Sequence, residues 1–200
     1  MSNYRIMSPS TCVVSERAKI GQGAVVFPNN ALLGESEVGA GAMLYPNNIL
    51  EDSSVGGGCR VTASVLREAS VGENTTVGPF AHLRPGARVG NNCRVGNFVE
   101  IKNSKIGDGT KIGHLTYVGD ADVGKNCNVG CGVVFCNYDG KTKHRTVVGD
   151  NCFIGSNVNL VAPVTLGDGC YIAAGATVTE DVPAGAFVIG RVRPTCKEKK

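Results

Sequence analysis

The chain has 200 residues, of which 28 are Gly, none is Trp and only 6% are aromatic, so a globular core of large side chains is not expected. Charged residues make up 18% and apolar ones 42%, which excludes a disordered chain. Lys and Arg exceed Asp and Glu by only +3, too little to indicate nucleic-acid binding from bulk charge.

From the N-terminus, residues 1–19 read as a lead-in, with no basic start followed by an apolar stretch and therefore no leader pattern. No run approaches the ~18 apolar residues of a membrane span. The expected setting is the cytoplasm, where the nine Cys would stay reduced.

From Ile20 a hexapeptide takes over. Ile20-Gly21-Gln22-Gly23-Ala24-Val25, Val38-Gly39-Ala40-Gly41-Ala42-Met43, Ile106-Gly107-Asp108-Gly109-Thr110-Lys111 and Leu166-Gly167-Asp168-Gly169-Cys170-Tyr171 share one rule: aliphatic, Gly or polar, two turn residues, small, variable. The aliphatic position recurs at steps of five or six from Ile20 through Val26, Leu83, Val95, Ile101, Ile112 and Val129 to Phe135, then from Val148 to Val178. Such a repeat predicts an all-β solenoid, a parallel β-helix in which three short strands make one coil. The aliphatic residue and the small residue four later point inward and stack at the ~4.8 Å strand spacing. Cys59, Cys93, Cys127, Cys152 and Cys170 occupy the small position, so they are expected in the core rather than in zinc sites or disulfides. The G-x-G triplets lie at turns with no helix after them, which removes a dinucleotide-binding reading. His82, His114 and His144 are spaced too widely for a metal site.

The rhythm breaks once, between Phe135 and Val148. This excursion, 136–147, opens on the turn signal Asn137-Tyr138-Asp139-Gly140 and continues into Lys141, Lys143, His144 and Arg145. Long loops within a compact repeat are usually functional. The helix is expected over 20–183, followed by a C-terminal tail over 184–200 that is basic from Gly190 to Lys200.

Adding one coil at a time builds columns. Asn97, His114, Cys131, Ser156 and Ala174 each lie two residues after an aliphatic position and are predicted on one edge of the prism. Arg84 and Lys102 follow Leu83 and Ile101 on successive coils. They form either a grip on one phosphate or a solvated charged face. Glu100 and Tyr117 fall close to His114 in the same coils, and a carboxylate near a His orients and tunes a base.

Several strings are more specific than the hexapeptide: Gly78-Pro79-Phe80-Ala81-His82-Leu83-Arg84-Pro85-Gly86, Gly96-Asn97-Phe98-Val99-Glu100-Ile101-Lys102, Gly113-His114-Leu115-Thr116-Tyr117-Val118-Gly119-Asp120-Ala121, Cys136-Asn137-Tyr138-Asp139-Gly140 and Leu160-Val161-Ala162-Pro163-Val164. With them the chain resembles the C-terminal acetyltransferase domain of the bacterial bifunctional N-acetylglucosamine-1-phosphate uridyltransferase/glucosamine-1-phosphate N-acetyltransferase, over roughly Val25 to Lys197. The resemblance implies a left-handed β-helix, a homotrimer, and acetyl transfer from acetyl-CoA to the amine of glucosamine 1-phosphate at sites between subunits, a step toward UDP-N-acetylglucosamine and cell-wall precursors. By resemblance, His114 is the general base and Glu100 its orienter. Arg84, Lys102 and Lys143 contact phosphate and sugar, and Tyr117 and Asn128 contact the sugar. Asn137, Tyr138, Ser156, Ala174 and Arg191 contact the donor, with the backbone N–H of Cys131 at the oxyanion position. Cys131 departs from the family's usual Ala.

No Gly-rich nucleotide loop or metal-binding carboxylate set precedes the helix, so uridylyl transfer and its magnesium are not expected, and a single activity is. Two other readings stand beside this one: a hexapeptide acetyltransferase for a different amino sugar, and a non-catalytic trimeric scaffold for a separately encoded uridyltransferase.

Overall fold

The computed structural model describes residues 3–190 and 194–196. The hexapeptide rhythm becomes a left-handed parallel β-helix of about ten turns. Three parallel sheets of eleven, ten and nine strands form its faces. One coil shows the plan, with Arg94–Asn97 on the first face, Glu100–Lys102 on the second and Lys105–Ile106 on the third. Each strand donates to the coil that follows: Arg94 N–H to Thr110 O at 3.1 Å, Glu100 N–H to Thr116 O at 2.9 Å, Arg88 N–H to Ser104 O at 2.8 Å.

The aliphatic positions pair with one another through the stack, as in Val77↔Val95, Val95↔Ile112, Ile112↔Val129 and Val129↔Ile154. All of them from Val26 to Val178 are buried, and Ile20, in the first coils, is half-buried. Each such side chain contributes about 1.5–3 kcal/mol by leaving water.

The five cysteines expected in the core are buried there. They share one inner column with Thr75 and Thr110, and each member donates to the corner carbonyl of the next coil: Cys93 Sγ to Gly107 O at 3.2 Å, Thr110 Oγ1 to Gly124 O at 2.8 Å, Cys127 Sγ to Gly149 O at 3.1 Å, Cys152 Sγ to Gly167 O at 3.2 Å. The column therefore satisfies backbone oxygens that a Val would leave bare. Burial pushes the Cys152 thiol up to about 11 and raises Cys127 as well, so both remain protonated and unreactive.

The sheets extend past both boundaries drawn from the aliphatic rule. Arg5–Ile6 pairs with Val25–Val26, and Val13–Val14 with Ala31–Leu33, on the N-terminal side. At the other end Phe187–Val188 pairs with Tyr171–Ile172. These outer strands have little interior to line, so Val13 and Phe187 face solvent and the inward pattern fades while backbone pairing continues. Among the described residues no helix is long and apolar enough to cross a membrane.

Corners between faces take left-handed backbone. At the edge between the first and second faces, Asn29, Asn47, Gly132, Asn157 and Gly175 are the residues one expects at positive φ. Phe80, Phe98 and Leu115 are not, at φ 61°, 56° and 49°. All three are exposed, and the rings of Phe80 and Phe98 stack at 5.5 Å.

Just inside that edge, a Cβ added to Gly96 would lie 1.8 Å from the Gly113 carbonyl oxygen, whereas one on Gly113 meets nothing within 4 Å. Gly96→Ala is therefore expected to cost about 3 kcal/mol or more in urea unfolding, and Gly113→Ala about 1 kcal/mol or less. Equal midpoints for the two variants would contradict this packing.

Candidate functional site

Strand Lys111–His114 runs to the edge between the first and second faces, and there His114 pairs in register with Asn97 of the preceding coil. The exposed imidazole places Nδ1 against Asn97 Oδ1 in a short hydrogen bond. An amide oxygen only accepts, so Nδ1 is the donor, and in a neutral ring the lone pair falls on Nε2. Backbone bonds continue the column: Leu115 N–H to Asn97 O, Gly132 N–H to His114 O, Asn157 N–H to Cys131 O and Gly175 N–H to Ser156 O. Asn97, His114, Cys131, Ser156 and the corner preceding Gly175, Ala174, thus line one edge. Thr116 Oγ1 donates to the Gly130 carbonyl at 3.2 Å and so fixes the peptide plane that carries the Cys131 N–H.

Arg84 and Lys102 stand on the second face, one residue beyond the paired Leu83 and Ile101. Beside them runs a second outward column, His82, Glu100 and Tyr117. Arg84 pairs with Glu100 at 2.7 Å and Lys102 with Asp120 at 3.7 Å. The Lys102 ammonium beside Lys143 pulls the latter's pKa below its ordinary value, against the opposing charge of Asp120. Three cations therefore face two carboxylates, which leaves an excess charge for an anion. Burial likewise lowers the pKa of His82, against the pull of Glu100, so this second imidazole stays neutral among the cations.

Glu100 is placed differently from the sequence expectation. Its carboxylate engages Arg84, and the imidazole of His114 is held by Asn97. His114 ends a strand of the first face while Glu100 starts one on the second, and the corner residues between them separate the two side chains. Asn97 was visible in the edge column; only the directions of the side chains assign it as the partner.

Asn128 sits on the first face between Lys111 and Phe153. It lines a cleft of about 240 Å³ with Arg94, Lys111, His114 and Cys131. Arg84, Lys102 and Tyr117 on the second face and Asn128 on the first thus flank the edge that carries His114. A surface hollow of about 410 Å³ lies on earlier coils, where Glu35, Glu37, Asp52 and Glu68 outnumber Arg88, the wrong charge balance for a phosphate. Among the described residues no group of three His, Cys, Asp or Glu side chains is placed to hold a metal ion.

Between strands Val134–Cys136 and Thr146–Val148 the excursion folds into its own small structure. Tyr138 and Lys143 form an antiparallel bridge, and Tyr138 is exposed with its hydroxyl on Gly140 O. Asp139 accepts from the N–H groups of Lys141 and Thr142 at 2.8 and 2.7 Å and contacts His144 Nε2 at 2.7 Å. Arg145 anchors the return through two bonds to Asp122, at 2.6 and 2.8 Å. Asn137 is buried, and its amide donates to Asp120 and to Tyr117 Oη. Arg191 lies outside the described residues.

The Thr142 N–H, then His144 and the Lys141 N–H, hold the Asp139 carboxyl well below the usual carboxylate range. A depressed folded pKa stabilises the turn at every pH above the ordinary Asp value and loses that effect as pH falls toward the folded pKa. Carboxyl NMR is expected to show Asp139 titrating below its neighbours, with the Thr142 amide protected at pH ~5 and released only well below pH ~4. An ordinary Asp titration would contradict the capped turn.

The chain matches the bacterial transferase hexapeptide family (six repeats) over residues 68–103 and 145–180. Over 193 residues, 96% of this chain, it is 51% identical to the bifunctional protein GlmU of Caldanaerobacter subterraneus subsp. tengcongensis, 42% of which the match covers. The chain thus spans less than half the length of this curated relative. The resemblance carried by the strings from Gly78 to Val164 is borne out. Among solved structures, the UDP-N-acetylglucosamine acyltransferase of Arabidopsis aligns with a TM-score of 0.77 at 22% identity, covering 90% of this chain and 70% of that one, a likeness of fold. A perosamine N-acetyltransferase from Caulobacter crescentus, solved in complex with CoA and GDP-perosamine, aligns with a TM-score of 0.52 at 27% identity, covering 58% of this chain and 53% of that one.

Proposed function

The chain is a hexapeptide-repeat relative of the GlmU proteins, and on that premise we propose that it moves the acetyl group of acetyl-CoA to the amine of glucosamine 1-phosphate. One observation carries the choice of acceptor: Arg84, Lys102 and Lys143 form a cationic cluster, partly neutralised by Glu100 and Asp120, on the face next to an imidazole with a free Nε2.

In this reading the cluster binds the 1-phosphate and Tyr117 and Asn128 orient the sugar. The acceptor nitrogen, delivered as an ammonium, loses a proton to His114 Nε2 and attacks the thioester carbonyl. Negative charge develops on the carbonyl oxygen, where the Cys131 N–H donates from a peptide plane already fixed by Thr116. Collapse expels the CoA thiolate, which takes its proton from the imidazolium, and the new amide nitrogen gives up its second proton through the freed His114 Nε2 to solvent. Using only the backbone of residue 131 makes the change from Ala to Cys compatible with the chemistry. Asn137, Tyr138, Ser156, Ala174 and Arg191 are assigned to the donor, and Glu100 acts by steadying Arg84. Nine unpaired cysteines suit a cytoplasmic setting.

We place the reaction between copies of a homotrimer. Asn128 and Lys102 lie on different faces of one chain, and the ridge of Phe80, Phe98 and Leu115 runs alongside the His114 column. Holding exposed aromatics in left-handed backbone costs about 1 kcal/mol or more per residue, a cost that burial against a neighbour would offset. Phe98→Glu is expected to shift the light-scattering mass from three chains toward one, and a trimer unaffected by it would place the contact elsewhere.

Thiol release from acetyl-CoA, followed with a panel of amino sugars with and without the 1-phosphate, tests the activity. Glucosamine 1-phosphate is expected to be the best acceptor. His114→Ala is expected to lower kcat by about 10²–10⁴-fold, and Lys143→Ala to raise KM for the phosphorylated acceptor about tenfold. Equal rates with free glucosamine would remove the phosphate assignment, and a nucleotide-linked amino sugar as best acceptor would favour the second reading.

A further inference from the structure

Of the two carboxylates that face the cations, Asp120 is the buried one, only 7% exposed. It sits at the corner between the second and third faces with φ 49°, directly after Asn103 in the same column at φ 45°. One oxygen accepts from Asn103 Nδ2 at 2.6 Å. The other accepts from Asn137 Nδ2 at 2.5 Å and lies 3.7 Å from Lys102 Nζ. A single carboxylate therefore joins the previous coil, the Lys102 ammonium and the root of the excursion.

The surroundings are shaped to allow this. Asn137 also reaches Tyr117 Oη at 3.4 Å, and a Cβ on Gly119 would fall 2.3 Å from that hydroxyl and 2.7 Å from the Asn137 amide. Glycine at 119 keeps the space open. Burial works against the Asp120 charge, yet the amides of Asn103 and Asn137, with Lys102 and Lys143, outweigh it and keep its pKa below the ordinary value. The excursion leaves this corner and returns through Thr146, whose N–H donates to Asp120 O at 3.2 Å.

We propose that Asp120 is a positioning residue that ties Lys102 to the root of the excursion, so that Lys102 and Lys143 reach the acceptor's phosphate as one unit. The inference rests on the acetyltransferase reading. A carboxylate that only filled a corner would bond Asn103 and Asn137, its neighbours in the column; this one also lies against the Lys102 ammonium, and the Asn137 it holds is the residue from which the excursion departs. Without it, two ammonium groups repel and the loop root loses its acceptor.

The test compares Asp120→Ala and Asp120→Asn with the unaltered full chain by amide hydrogen exchange over 137–145 and by KM for glucosamine 1-phosphate and for free glucosamine. Asp120→Ala is expected to speed loop exchange and to raise KM for the phosphorylated acceptor roughly tenfold or more, with KM for free glucosamine and exchange of the core strands little changed. Asp120→Asn keeps an amide oxygen for one partner but no charge for Lys102, and is expected to fall between; it becomes the variant to read if the alanine form does not fold. Faster loop exchange with an unchanged ratio of the two KM values would reduce Asp120 to a structural tie and overturn the proposal, as would unchanged exchange. Should the unaltered chain acetylate neither sugar, the acetyltransferase reading fails, and binding of inorganic phosphate by calorimetry carries the comparison: affinity lost in Asp120→Ala supports the positioning role, and affinity retained overturns it.

Discussion

The bond from each strand to the one in the following coil is the constraint on which the rest depends. Parallel pairing at a fixed spacing repeats every residue of one coil above its counterpart in the next, so a position in the hexapeptide becomes a line along the solenoid. Val95, Ile112 and Val129 form an inner line, Cys93, Thr110 and Cys127 another, and Asn97, His114 and Cys131 one on the surface. Groups distant in sequence become neighbours without any long-range search. The site is a product of register before it is a product of side-chain chemistry.

This is why so much was legible in advance. The aliphatic rule locates the core because an inward residue leaves a strong period, and the cysteines follow from their place in it. The edge column containing His114 and the stacking of Arg84 over Lys102 need only the count of residues per coil. The break at Phe135 marks the excursion because no other step between Ile20 and Val178 leaves the rhythm. What stayed hidden is of a different kind. Whether His114 leans on Asn97 or on Glu100 depends on how a corner turns two side chains, and a period carries no information about that. The ion pairs of Arg84 and Lys102 and the reach of Asp120 across three coils are likewise matters of direction. At the ends the pattern fades before the pairing does, since a terminal strand can hydrogen-bond with little interior left to fill.

The edge between the first and second faces shows two solutions to one backbone problem. Most coils place Asn or Gly in the left-handed turn, where short or absent side chains relieve the clash. One coil places Ala63 there, and the next three, around the candidate site, place Phe80, Phe98 and Leu115. Local preference is overruled over the stretch that also carries Asn97 and His114. Sites where sequence reasoning and structure part company are commonly places that serve something beyond stability, and this ridge lies beside the imidazole.

The excursion holds a further consequence. It is fastened at its base by Asp120 and Asp122 and shaped within by Asp139, while the coil it interrupts closes as every other coil does. Its length can therefore change without displacing any column above or below, as a pendant can be exchanged without restringing the necklace. On the acetyltransferase reading, exchanging this one peripheral segment is a route to grasping a different small molecule while the imidazole keeps its place.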